Sequence, residues 1–193
     1  MGQYYKAVNI ETMKWMQSNG FLKLTETAWV GNDFMQAVMK NMCPKGIWFK
    51  NRIVWAGDYY GDEGKTEKEY YALTHSSNKI PYKSIDDYSS DPAIKAKAKE
   101  AYRAATEWQK NCILVNFSRK EYVNYNHLPT CMDDWTMNPL PLLTALGNDR
   151  GGGDYRDGNP DFDKIGIWAG DQLGILQDIP YGFWELKTNF KED

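Results

Sequence analysis

The sequence predicts an α+β fold: two degenerate, mostly antiparallel β half-domains related by internal duplication, with a long amphipathic helix covering a sheet face. Three observations carry this. Runs rich in aromatic and β-branched residues, bounded by turn residues, fall at 4–10, 112–117 and 183–186. An Ala-rich stretch with a clear start signal follows Asp91-Pro92. Three motifs also recur in the same order and at nearly constant spacing. Val8-Asn9-Ile10 returns as Val115-Asn116-Phe117, Gly31-Asn32-Asp33 as Gly147-Asn148-Asp149, and Trp55-Ala56-Gly57-Asp58 as Trp168-Ala169-Gly170-Asp171. Residues 1–193 then form one domain, with a first half at 4–64, a helical insertion or connection at 65–110 and a second half at 111–193.

In the first half, 4–10 reads as a strand, 11–14 as a polar turn and Trp15-Met16 as the return. Alternation in Leu22-Lys23-Leu24-Thr25 predicts a further strand or a strand end. Asn32 or Asp33 caps a short helix over about 33–42, whose Phe34, Val38 and Met42 share a face, and Cys43-Pro44-Lys45-Gly46 stops it. Ile47-Trp48-Phe49 and Arg52-Ile53-Val54-Trp55 read as a hairpin about Lys50-Asn51. Residues 65–77 are charged and helix-compatible, and 76–90 a surface connection.

The long helix, about 91–110, starts at a Ser90 or Asp91 cap with Pro92 in its first turn. Ile94, Ala98, Ala101, Ala105 and Trp108 form its apolar stripe, and Lys95, Lys97, Lys99 and Arg103 a solvated face. In the second half, 112–117 is a strand, 118–121 a turn and Tyr122-Val123 the return. The prolines of 139–146 oppose a helix start, although Pro141 fits a first turn. Ile165-Gly166-Ile167-Trp168 and 183–186 supply the last strands.

Composition narrows the function classes. A net charge of −3 gives no bulk attraction to nucleic acid, so that partner is unlikely from charge. Cys43, Cys112 and Cys131 include no Cys-x-x-Cys pair, which argues against a disulfide framework or zinc site and for reduced thiols in a cytoplasmic protein. The N-terminus lacks an apolar signal core, and no apolar run approaches the roughly 20 residues of a bilayer span, so no membrane partner is expected. Neither a Gly-x-Ser-x-Gly elbow, a phosphate loop ending in Gly-Lys-Ser/Thr, His-Glu-x-x-His nor a strand-linked Gly-x-Gly-x-x-Gly is present.

The richest candidate site is Asn148, Asp149, Arg150, Gly151, Gly152, Gly153, Asp154 and Tyr155. Three glycines let a backbone approach a ligand and present its amides, Arg150 pairs with phosphate or carboxylate, and Tyr155 stacks on a ring. The alternative is a flexible acidic turn. Asp58 and Asp171, related by the repeated Trp-Ala-Gly-Asp, approach one another if the halves pack face to face. Two close carboxylates split their pKa values and supply an acid and a base. The competing reading makes each Asp a turn acceptor after a buried Trp. Asp157, Asn159, Asp161 and Asp163 alternate as oxygen ligands do but fail the calcium-loop pattern, so no metal and no cofactor are expected. His75 and His127 sit near no recognisable nucleophile.

The opening Met1-Gly2-Gln3-Tyr4-Tyr5-Lys6, Trp29-Val30-Gly31-Asn32, Trp55-Ala56-Gly57-Asp58-Tyr59, and Pro139-Leu140-Pro141-Leu142-Leu143-Thr144-Ala145-Leu146-Gly147-Asn148 with Arg150-Gly151-Gly152-Gly153-Asp154-Tyr155 resemble an uncharacterised family of small bacterial and phage proteins. The likeness covers most of the chain outside about 65–110. It implies no reaction. The family pattern carries a His before the Pro-Leu-Pro-Leu-Leu run, where this chain has Asn138. The phage association implies a host-interaction or anti-defence role by analogy. The expected function is therefore binding of a small anionic, nucleotide-like ligand. The alternatives are an acid/base hydrolase using Asp58, Asp171 or Asp154, and a module that docks exposed aromatics on a host protein. A homo-oligomer is a further expected partner state.

Overall fold

Two hairpins closed by the same turn anchor the sheet. In the computed structural model, which describes residues 3–19, 23–58, 70–71, 74–85, 90–131, 134–146, 155 and 157–191, β1 (Tyr5–Asn9) pairs antiparallel with β2 (Lys14–Met16). Likewise β4 (Ile113–Asn116) pairs with β5 (Glu121–Asn124). Each first strand ends in an asparagine whose Oδ1 accepts turn amides: Asn9 from Glu11 and Thr12, Asn116 from Arg119. Each turn closes through a residue at positive φ, Met13 at 53° and Lys120 at 57°.

After each hairpin the chain runs into an Asn-capped helix. Asn32 accepts the Phe34 and Met35 amides to start α2 (Asp33–Asn41), which follows the one-turn α1 (Leu24–Thr27). Asn138 accepts the Leu140 amide to start a five-residue helix, Pro139–Leu143. The long α3 (Pro92–Lys110), capped by Asp91, lies between them in sequence, so Pro139–Leu143 is α4.

Each capped helix leads to a tight turn and a strand. Gly46-Ile47-Trp48 and Gly166-Ile167-Trp168 form matching turns. The Trp48 amide reaches Asn41 O and the Trp168 amide reaches Leu143 O, both at 2.8 Å. Phe49 N–H returns to Gly46 O as Ala169 N–H does to Gly166 O, and Lys50 and Gly170 then take positive φ, 60° and 78°. The glycines are required: a Cβ on Gly46 would lie 2.0 Å from Asn41 O, and one on Gly166 2.5 Å from Ala145 O.

The strands that follow are β3 (Asn51–Gly57) and β7 (Gln172–Leu176). They pair antiparallel, Arg52 against Gln172 and Asn51 against Leu173. The sheet order is β2-β1-β3-β7-β4-β5-β8, where β8 is Trp184–Glu185. The two-residue β6 (Ala145–Leu146) runs parallel to β3 beside Trp55 and Ala56. The described residues thus form an eight-stranded mixed sheet with four α-helices, an α+β fold.

Strand alternation divides the apolar residues. Tyr5, Ala7, Ile53 and Trp55 join the helices in the main core, while Val8, Trp15, Val54 and Ala56 form a second cluster and Ile113, Val115 and Tyr122 a third.

Five expectations are corrected. Leu24-Thr25 open α1 rather than a strand, since Glu26 accepts the Lys23 amide and fixes a helical start. Residues 47–50 are a turn, not half of a hairpin, because Trp48 is drawn into the core. Residues 165–168 are likewise turn, and the strand lies later, at β7. The prolines of 139–146 do not prevent a helix, because Asn138 caps one with Pro139 in its first turn. Finally, α3 packs on α2 rather than over a sheet face: it buries only Ala98, Ala105 and Gln109 and leaves Ile94 exposed.

Candidate functional site

The Trp-Ala-Gly-Asp repeat does not set the structural correspondence. Trp55 lies inside β3, whereas Trp168 lies in the turn before β7 and occupies the place that Trp48 has before β3. Asp171 accordingly corresponds to Asn51, not Asp58. Asn9 Nδ2 donates to Asn51 Oδ1 and Asn116 Nδ2 to Asp171 Oδ2, both at 2.8 Å. Arg119 Nε also donates to Asp171 Oδ2 at 2.6 Å, so this carboxylate clamps a turn.

Asp58 lies elsewhere. The Ile53 amide contacts Asp171 O, and Asp58 is five residues further along the β3 direction, about 16 Å at roughly 3.3 Å per residue. The two carboxylates cannot share a proton, which removes the paired acid/base arrangement. Asp58 instead pairs with Tyr4: Tyr4 N–H donates to Asp58 Oδ1 at 2.8 Å, and Asp58 N–H to Tyr4 O at 2.9 Å.

The glycine-rich segment starts at this same end of the sheet. Leu146 is in register with Ala56, and Ala56 with Lys6 on the other side of β3. Asn148, Asp149, Arg150, Gly151, Gly152, Gly153 and Asp154 lie outside the described residues. Tyr155 is described, and its expected stacking role is corrected. The residue is fully buried, packs edge-on against Phe190 at 5.7 Å and donates its hydroxyl hydrogen to Pro160 O. It anchors the C-terminal side of the segment in the core. Asp161 is engaged as well, by Lys164 Nζ at 2.8 Å and by the Asn189 amide.

A group that the sequence reading missed lies next to Asp58. Lys6 is 9% exposed. Its Nζ sits 3.7 Å from the Tyr71 ring centroid and 4.7 Å from that of Trp15, and donates to Thr74 Oγ1 at 2.7 Å. Lys79 Nζ approaches the Trp15 ring at 5.2 Å. Burial pulls the Lys6 ammonium below its ordinary range; the Asp58 charge opposes this and Lys79 adds to it. The available signal was a lysine inside the otherwise apolar run Tyr5-Lys6-Ala7-Val8.

The histidines take peripheral roles. His127 Nδ1 lies 2.6 Å from Glu185 Oε1, and His75 O accepts the Trp15 indole N–H at 2.8 Å. Burial works against the Glu185 charge, but hydrogen bonds from Lys187 and His127 hold its carboxyl below the usual range. No helix among the described residues is long and apolar enough to cross a membrane. Comparison with known families, curated proteins and solved structures finds no match to this chain.

Proposed function

We propose that the chain binds a small anionic, nucleotide-like ligand through the glycine amides and Arg150 of 147–154, with Asp58 at the edge of the site. One observation carries this reading. The first half passes from helix to Gly46-Ile47-Trp48 through residues 43–45, whereas the second spends 145–165 between α4 and Gly166-Ile167-Trp168. The two turns nevertheless have the same hydrogen bonds. The turn itself therefore does not require the extra chain; β6, Tyr155, Phe162 and Ile165 join the sheet and core, while the three consecutive glycines and arginine between them suit an anion.

The same reading takes the halves as products of an internal duplication. Its support is the reciprocal bonding between them: Trp55 N–H donates to Thr144 O and Ile175 N–H to Met42 O, just beyond the two capped helices. The duplication left one copy as scaffold and allowed the other to acquire a binding segment. A role against host defence, implied by the resemblance, is a proposal about the biological setting of that ligand.

The test is a thermal-shift screen of the full chain against nucleoside mono-, di- and triphosphates, followed by calorimetry. Arg150→Ala should weaken binding by about 1.5–3 kcal/mol, tenfold or more, with the melting temperature unchanged. Unfolding of Arg150→Ala, or undiminished affinity, overturns the reading. A second reading, a protein-docking module, is favoured by the exposed Ile179, Tyr181 and Trp184, the last 78% exposed. Loss of a host partner on Trp184→Ala, with nucleotide binding absent, would replace the first reading by the second.

A further inference from the structure

We propose that one flank of α3, the row Lys95, Lys99 and Arg103 beside the rings of Tyr102 and Trp29, is a docking surface for single-stranded nucleic acid. The first observation is how little of this helix the fold uses. Every residue from Pro92 to Lys97 is exposed, and Ala98 is the first to be buried. The opening turns of α3 therefore project past the body, although helices in folded proteins draw most of their stability from packing. Alanines and the Asp91 cap keep these turns helical without tertiary contacts.

The second observation is the order of the charges. Lys95, Lys99 and Arg103 follow i, i+4, i+8, so they form one row with neighbours about 6 Å apart along the axis. All three are exposed, and none enters an ion pair among the described residues. Glu100 and Glu107 neighbour Arg103 on the helix without pairing with it. Like charges at this spacing repel, so the row works against the helix that carries it and is relieved by an anionic partner. The net charge of −3 does not oppose contact, because charges farther than about 8 Å are largely screened at physiological salt.

The third observation selects the partner. Tyr102, one turn beyond Lys99, lies against Trp29 with ring centroids 6.0 Å apart and planes tilted by 47°. Both rings are half-buried. The chain at Trp29 is drawn tightly onto this flank: a Cβ on Gly31 would lie 2.2 Å from Thr106 Oγ1. Cations that track a phosphate backbone, beside aromatic faces that take bases, are the parts of single-strand recognition. A duplex keeps its base faces stacked away from such rings. A bilayer surface calls for a broad apolar face, and the projecting turns offer Ile94 alone, 39% exposed, as a large apolar side chain. No part of this depends on the 147–154 segment.

The experiment follows fluorescence anisotropy of labelled oligothymidylate with the full chain across a salt series. The logarithm of the association constant should fall with the logarithm of salt with a slope of about −2, for three phosphate contacts at roughly 0.7 each. The triple variant Lys95→Gln, Lys99→Gln, Arg103→Gln should bind at least tenfold more weakly and flatten that slope. Its helix content, read by circular dichroism, should not change, since glutamine is a good helix former at exposed positions. Lys99→Gln alone should reduce the slope by about 0.7. Lys97→Gln, about 200° round the helix from Lys95, should bind within twofold of the parent. Tyr102→Leu should weaken binding with the salt slope unchanged, because stacking releases no counterions. Absence of binding at low salt, or full affinity in the triple variant, overturns the proposal. So does equal affinity for a duplex of the same length, for polyglutamate or for phosphatidylserine vesicles, which would make the row a general anion-attracting face.

Discussion

Trp168 Nε1 donates to Glu121 Oε2 at 2.9 Å, whereas the matching Trp48 indole is fully buried and its N–H has no acceptor among the described residues. At the hairpin position where β5 opens with Glu121, β2 opens with Lys14. Lys14→Glu should supply the missing acceptor and raise stability by about 1 kcal/mol, the net value of an intramolecular hydrogen bond. Glu121→Leu should cost about 1–3 kcal/mol by orphaning Trp168. Urea denaturation measures both, and a destabilising Lys14→Glu would show that the two turns are not interchangeable.

Trp55 and Trp168 are 1% and 0% exposed and fill the main core from a strand and from a turn. Trp168→Ala and Trp55→Ala should each cost roughly 3–5 kcal/mol, as large aromatic truncations do. A change within error of zero in chemical denaturation would remove either residue from the core.

Asp171 is expected to be structural and dispensable as an acid. Asn51 already fills the matching position, so Asp171→Asn should keep the Asn116 contact and lose under about 1 kcal/mol, the scale of the part-exposed pair with Arg119. Nucleotide affinity should not change. A large loss of binding would return Asp171 to the candidate site.

Burial pushes the Cys112 thiol up to about 12, with Gln177 opposing and Cys43 adding. An acid whose folded pKa exceeds its unfolded value of about 9 favours folding less once the unfolded chain can release that proton. Stability should be unaffected by this group below pH 9 and decline as pH rises from 9 toward 12. Comparison with Cys112→Ala at pH 8 and pH 10.5 isolates the contribution, and equal slopes for the two proteins would contradict it.

Local signals were legible where one residue type dictates the geometry. Asn32 and Asp91 announced their helices, and the β-branched runs announced β1 and β4. Asn138 was harder, because prolines at 139 and 141 mask a helix whose start depends on a single cap. Of the recurring motifs, Val8-Asn9 and Val115-Asn116 do take equivalent places at the ends of β1 and β4, whereas Trp-Ala-Gly-Asp does not. Trp-Ala-Gly-Asp is the longer match, but the shared backbone is held by Gly-Ile-Trp, where a glycine must face a carbonyl and a tryptophan must enter the core. Word length reports letters, and only packing reports which letters matter. Lys6 was passed over because a strand's alternation does not reveal what covers its second face.

The pairing of Arg52 with Gln172 has a consequence for synthesis on the ribosome. β3 emerges more than a hundred residues before β7 closes its edge beside Asn51 and Arg52. At 5–20 residues per second this interval lasts roughly ten seconds. During it the nascent N-terminal half offers Asn51, Arg52 and Ile53 on a strand edge that only residues 170–173 pair, a template for other chains. Ribosome-stalled chains ending before β7 should therefore recruit chaperones heavily, and that recruitment should fall sharply once residues 172–176 have cleared the exit tunnel.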